Sequence, residues 1–147
     1  MASFNAVAVQ TIAPNQNALL TEAGNYSCRS QRKIIFEPGS GLVTLRGNEG
    51  NGPCVPTAVY KVTFNANIAV STGGTAEAIS AAISKNGEAL LNTNAIVTPA
   101  AVGDFFNVST SAEIRVPSNC CVQVAVKNTS TQNIDMENLN VIVECAC

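Results

Sequence analysis

Apolar and polar residues alternate with a period of two along most of this chain. In YKVTFNANIAV, the residues Tyr60, Val62, Phe64, Ala66, Ile68 and Val70 share one side, and Lys61, Thr63, Asn65 and Asn67 share the other. FNVSTSAEIRV repeats the pattern, setting Phe106, Val108, Ala112, Ile114 and Val116 against Asn107, Ser109, Ser111, Glu113 and Arg115. Val122, Val124 and Val126, then Leu139, Val141, Val143 and Cys145, continue it. Successive side chains of a strand point to opposite faces, so each run reads as a strand with one face in a core. The other face is wet or lies against another subunit. None of these runs carries a sustained helical stripe.

Turn signals separate the runs. Both residues of Asn86-Gly87 tolerate positive φ, which marks a tight hairpin. Gly39 to Gly41, Gly47 to Pro53 and Ser71 to Gly74 mark further reversals. Val97 to Phe105 reads as a longer connection, because Pro99 has no N–H to give a ladder. About ten strands result, starting near residues 3, 17, 33, 42, 57, 77, 89, 105, 121 and 136. The predicted fold is all-β, an antiparallel two-sheet jelly-roll sandwich spanning residues 17–147. Residues 1–16 are apolar, uncharged and lack a nearby hairpin partner, so they read as an arm for docking or assembly.

Composition alters the picture of the outer faces. Of 147 residues, 46% are apolar and only 12% charged, about half the usual charged share. A surface this poor in charge makes more sense when other subunits cover it, which predicts a homo-oligomer. Flat strands with so few charges also invite edge-to-edge pairing when left open. A net charge of −2 gives no attraction to nucleic acid or to an anionic membrane. Neither a basic leader nor a run of 18 apolar residues is present, so synthesis in a cytoplasm without a signal peptide is expected. Six cysteines sit uneasily with that compartment. A particle built inside a cell and later released, a virion or a spore surface, reconciles the two; reduced intracellular thiols are the simpler alternative.

The chain has no histidine, which removes Ser-His-Asp and Cys-His catalysis. Glu113, Glu137, Glu144, Asp104 and Asp135 stand at alternating polar positions or in turns, where solvated charge is the default. STGGTAE lacks the lysine and spacing of a phosphate loop. Four cysteines spaced C-C and C-x-C match structural zinc sites poorly. The expectation is therefore no enzyme, no metal and no cofactor. Three N-x-S/T sequons, at Asn25, Asn107 and Asn128, read as coincidence in an Asn- and Ser-rich chain.

The cysteines fall into groups. Cys28 and Cys54 bracket a segment that, folded as a hairpin, brings its ends close enough for a disulfide contributing roughly 3 kcal/mol. Cys120 and Cys121 point to opposite faces if both lie on a strand, so one packs inside and the other faces a partner chain. Cys145 and Cys147 share a face and would meet the inner one of that pair on a neighbouring strand. Intersubunit bridging is the functional reading of this second group; buried free thiols are the bland one. Arg29, Arg32 and Lys33 form a small basic group that meets an acidic neighbour or nothing at all. A binding site would fall in the loops 47–56 and 97–105, where GDFFN offers Asp104, Phe105 and Asn107, although Phe105 and Phe106 suit core and rim as well.

The stretches EPGSGLVTLRG, YKVTFNANIAV, ISKNGEAL, IVTPAAVGDFFNVS and IRVPSNCCVQVAVKNTSTQNIDMENLNVIVE together resemble a module of gut Firmicutes and their phages. That module is itself similar to the trimeric TNF/C1q-like jelly rolls, and the likeness covers about residues 8 to 145. The resemblance implies a compact homotrimer displayed as a phage head fibre, a capsid decoration or a spore-surface tip, docked to a capsid or other structural protein. An extracellular adhesion module and a cross-linked spore filament subunit are the alternatives. The VECAC tail departs from the pattern and suggests additional cross-linking.

Overall fold

A computed structural model of the chain describes residues 1–26 and 32–146, with the side chains of Asn25 and Tyr26 left aside. Twelve strands stand among the described residues. They are β1 (Ala2–Ala6), β2 (Gln10–Ile12), β3 (Glu22–Tyr26), β4 (Ile34–Phe36), β5 (Val43–Arg46), β6 (Ala58–Val70), β7 (Ile79–Lys85), β8 (Glu88–Ala89), β9 (Ala95–Val97), β10 (Phe106–Val116), β11 (Cys121–Asn128) and β12 (Ile134–Cys145). A short 3₁₀ turn, Leu91–Thr93, separates β8 from β9.

Two antiparallel sheets result, as the alternation predicts. The first runs β10-β6-β12-β1-β3, with β2 also paired to β12. The second runs β4-β5-β11-β7-β8, with β9 also paired to β7. Their inner faces close on one core in which Tyr60, Phe4, Phe64, Ile68, Ile79, Ile83 and Leu139 are all buried. Phe4 of the first sheet stacks against Phe36 of the second, with ring centroids 4.6 Å apart. The long strands are the ones that alternate best. In β6 the buried residues are those on the apolar face, until Ala69, Val70 and Ser71 are all enclosed at its far end.

Residues 1–16 are not set apart as an arm. Ala2, Phe4 and Ala6 are buried because β1 lies between β12 and β3, in register from Ala2 opposite Val143 to Ala6 opposite Leu139. β2 continues along the same side of β12, pairing Gln10 with Met136 and Ile12 with Ile134. The strand expected near residue 17 is absent as well. Asn17 makes one isolated bridge to Lys127, and the strand comes later, as β3.

Turn chemistry follows the residues. Asn86 and Gly87 have φ of 50° and 87°, the left-handed pair of a tight hairpin, and Lys85 faces Glu88 across it. At Gly47 the demand is space. A Cβ there would lie 2.0 Å from the carbonyl oxygen of Pro117, where the segment after β5 crosses the turn before β11.

Candidate functional site

The thiols that the structure describes gather at one end of the sandwich. β6 begins there with Ala58 opposite Val116 of β10, and Tyr60 lies opposite Cys145 of β12. The Tyr60 hydroxyl crosses the sandwich and donates to the Arg46 carbonyl, 2.5 Å away on β5. Arg46 is in turn the register partner of Cys121. Cys54, Cys120 and Cys121 are free and exposed. Cys145 stands apart from these three, packed against the core and engaged with a partner. Cys28 and Cys147 lie outside the described residues, as does Arg29.

The expected division of labour between Cys120 and Cys121 is not observed. Val122 and Leu45, opposite each other, point into the core, so Cys121 and Arg46, one step along, both face out. Cys120 precedes the strand, in a turn where alternation does not apply. Its amide donates to Pro117, and its carbonyl accepts from Gly47 at 2.8 Å. Nor do these cysteines neighbour Cys145 on adjacent strands, since β11 and β12 belong to different sheets. Cys54 is free, so the bridge considered between Cys28 and Cys54 is not formed.

Hydrogen bonds hold this end in shape. Asn119 Nδ2 donates to the Gly50 carbonyl at 2.9 Å, and the Gly50 amide donates back to Asn119 Oδ1 at 3.2 Å. Lys33 Nζ reaches Asn48 Oδ1 at 2.5 Å, and Asn48 Nδ2 donates to the Pro56 carbonyl at 2.7 Å. Between these loops lies an open cleft of about 660 Å³, lined by Arg46, Glu49, Asn51, Asn119, Cys120 and Cys121 among others. A second cleft of about 390 Å³ adjoins it, sharing Arg46, Gly47 and Glu49 and adding Arg32 and Lys33. Among the described residues, three cations and one carboxylate, Glu49, line these clefts. No group of three or more His, Cys, Asp or Glu among the described residues is arranged to hold a metal ion.

The two candidate binding loops, expected from the sequence, lie at opposite ends of the sandwich rather than at one. Residues 47–56 precede Ala58 at the start of β6, whereas 97–105 precede Phe106, which pairs with Ile68 near its finish. With 13 residues in β6, the ends are separated by roughly 40 Å. Asp104 is exposed, and Phe105 and Phe106 are 39% and 43% exposed, so neither aromatic belongs to the core. Asn107 does not turn toward Asp104. Its Nδ2 donates across the outer face of the first sheet to Asn65 Oδ1 at 2.7 Å and Asn67 Oδ1 at 3.1 Å.

Two exposed apolar patches, which the sequence reading did not foresee, sit on opposite edges. One comprises Leu91 of the 3₁₀ turn, Ile96 of β9 and Phe106 of β10, exposed on elements that pack together, with Val102 and Phe105 exposed in the connection leading into β10. The other is Val7, Val9 and Leu19, at the bend between β1 and β2. Gln10 fastens Leu19 there, its side chain bonded to the Leu19 amide at 2.8 Å and carbonyl at 3.0 Å. Pairing register shows their relative height: Gln10 faces Met136, Met136 faces Ile68, and Ile68 faces Phe106. The patches stand at the same level across the first sheet.

Among solved structures, the chain is similar to the globular domain of zebrafish complement 1qA. The TM-score is 0.61 at 10% identity, covering 96% of this chain and 94% of that one. It is also similar to Eiger TNF from S. frugiperda, with a TM-score of 0.67 at 13% identity over 97% and 90% of the two chains. Murine APRIL gives 0.52 at 9% identity over 97% and 98%. The fold is thus the TNF/C1q-like jelly roll. No protein-family model matches the sequence, and no curated protein matches it.

Proposed function

We propose that this chain is a non-enzymatic structural protein that assembles as a homotrimer and is displayed on a phage virion, as a head fibre or decoration protein. The observation that carries the assembly is the pair of unlike apolar patches at one height on opposite edges. Unlike patches bind head to tail, and a shared height along the strands removes the climb of a helical filament, so the contact closes into a ring where the rotation between neighbours divides a full turn. The outer face of the first sheet suits burial beside such a contact. Asn5, Asn65, Asn67, Asn107, Asn140, Thr63, Ser109 and Ser111 lie on it, and Lys61 is flanked in register by Glu113 and Glu144. Three as the ring number, and the virion as the place of display, rest on the resemblance of the sequence to the phage and Firmicutes module.

Light scattering on the purified protein in reductant tests this. The expected mass is three chains, and the double variant Ile96→Glu, Phe106→Glu should fall to one chain while keeping its β-rich circular dichroism. A wild-type monomer at micromolar concentration would overturn the reading.

A further inference from the structure

The cleft beside Cys121 has no part in the proposed ring. We infer that it is a thiol–disulfide exchange site for a small disulfide bearing carboxylates, and that Cys121 is the residue modified. The inference does not depend on the trimer.

Cys121 is exposed, free and directly opposite Arg46 in the antiparallel ladder. Both side chains stand on the outer face of the second sheet, where register partners have Cβ atoms roughly 5 Å apart. Arg46 and Cys121 line the same cleft, and Arg32 and Lys33 extend the positive charge into the adjoining one. Among the described residues, Glu49 is the one opposing charge lining the two. A volume of about 660 Å³ suits a ligand of peptide-fragment size. Arginine presents forked donors that match a carboxylate, so the ligand class the cleft selects is anionic. The reciprocal bonds between Asn119 and Gly50 fix the walls, so the thiol is presented from a shaped surface rather than a loose tail.

Cys120 shares the cleft but is less suited to attack. It sits in the turn outside the ladder, and its Sγ is turned toward the Cys121 carbonyl at 3.5 Å. The step itself is an exchange. The Cys121 thiolate attacks one sulfur of the disulfide RSSR, a protein S–SR bond forms and the S–S bond of RSSR breaks. RS⁻ leaves and takes up the proton that the cysteine lost, so the disulfide is the oxidant and one RSH is its reduced product. The resulting mixed disulfide is a form that the thiol of another molecule can attack in turn.

The test uses the intact, reduced protein with oxidised glutathione as the anionic probe and hydroxyethyl disulfide as the uncharged one. Mass spectrometry follows adduct formation, and peptide mapping locates it. One glutathionyl group on Cys121 is expected, absent in Cys121→Ser and retained in Cys120→Ser. Arg46→Gln should slow the anionic probe roughly two- to fivefold and leave the uncharged probe unchanged, as should moderate salt. The unchanged reaction with the uncharged probe also reports that the variant is folded. Equal modification of Cys54, an anionic rate indifferent to Arg46, or reducible dimers in place of the adduct would each overturn the inference.

Discussion

Tyr60 shows how much one buried polar atom can organise. Its ring is fully enclosed, and its hydroxyl ties the start of β6 to the end of β5, joining the two sheets next to the thiol cleft. Burial raises its pKa above the ordinary value of 10.0, because the phenolate would lose its hydration. Above pH 10 an unfolded chain therefore releases this proton while the folded one keeps it. The unfolded state then binds fewer protons, and stability falls as pH rises. Tyr60→Phe is expected to lose about 1–2 kcal/mol at neutral pH, since the Arg46 carbonyl loses its donor. Above pH 10 the variant should lose stability less steeply than the wild type. Urea melts at pH 7 and pH 10.5 check both statements. Asn128 is the counterpart at the other end. It is wholly buried, its Nδ2 bonded to the carbonyls of Ile12 and Gln132 and its Oδ1 to the Ser130 amide. Its place in a sequon is thus a by-product of a structural role, as the composition suggested. The cysteine pair was harder to read, because inward and outward positions are defined only after a strand has begun, and Cys120 falls just short of β11.

At the scale of elements, legibility tracked strand length and local pairing. β6, β10, β11 and β12 announce themselves through sustained alternation, and the β7–β8 hairpin through Asn86-Gly87. β2 and β9 have three residues each, too few for a period to show. They are strands because β12 and β7 lie beside them. The hairpin prediction can be made quantitative. Gly87→Ala keeps Asn86 but forces a Cβ onto a residue at φ 87°, where nothing else crowds it. The expected cost is about 1 kcal/mol, read as a lower thermal midpoint with an unchanged β spectrum. A neutral result would mean that the turn relaxes to another type.

The whole molecule is where the sequence says least. The arm assigned to residues 1–16 vanished because the partners of Ala2 and Phe4 are Val143 and Val141, at the far end of the chain. No local signal reports a pairing of that separation. The edge patches were hidden for the same reason, since Val9 and Phe106 come to one height only through β12 and β6. Their apolar character makes a further expectation at this scale. The assembly should be nearly insensitive to ionic strength, because the contacts proposed for it are hydrophobic. Sedimentation at low and high salt measures this; dissociation on adding salt would point to a charged interface instead.

The central position of β12 also bears on how the protein is made. This strand, the last of the twelve, separates β6 from β1 and β2, so the first sheet has no middle until Ile134–Cys145 leaves the ribosome. A nascent chain shorter than that holds β10 on β6 and β3 on β1 as two fragments with apolar inner faces still open. Such a chain is a natural client for chaperones, and pauses in translation before residue 134 prolong its exposure to aggregation.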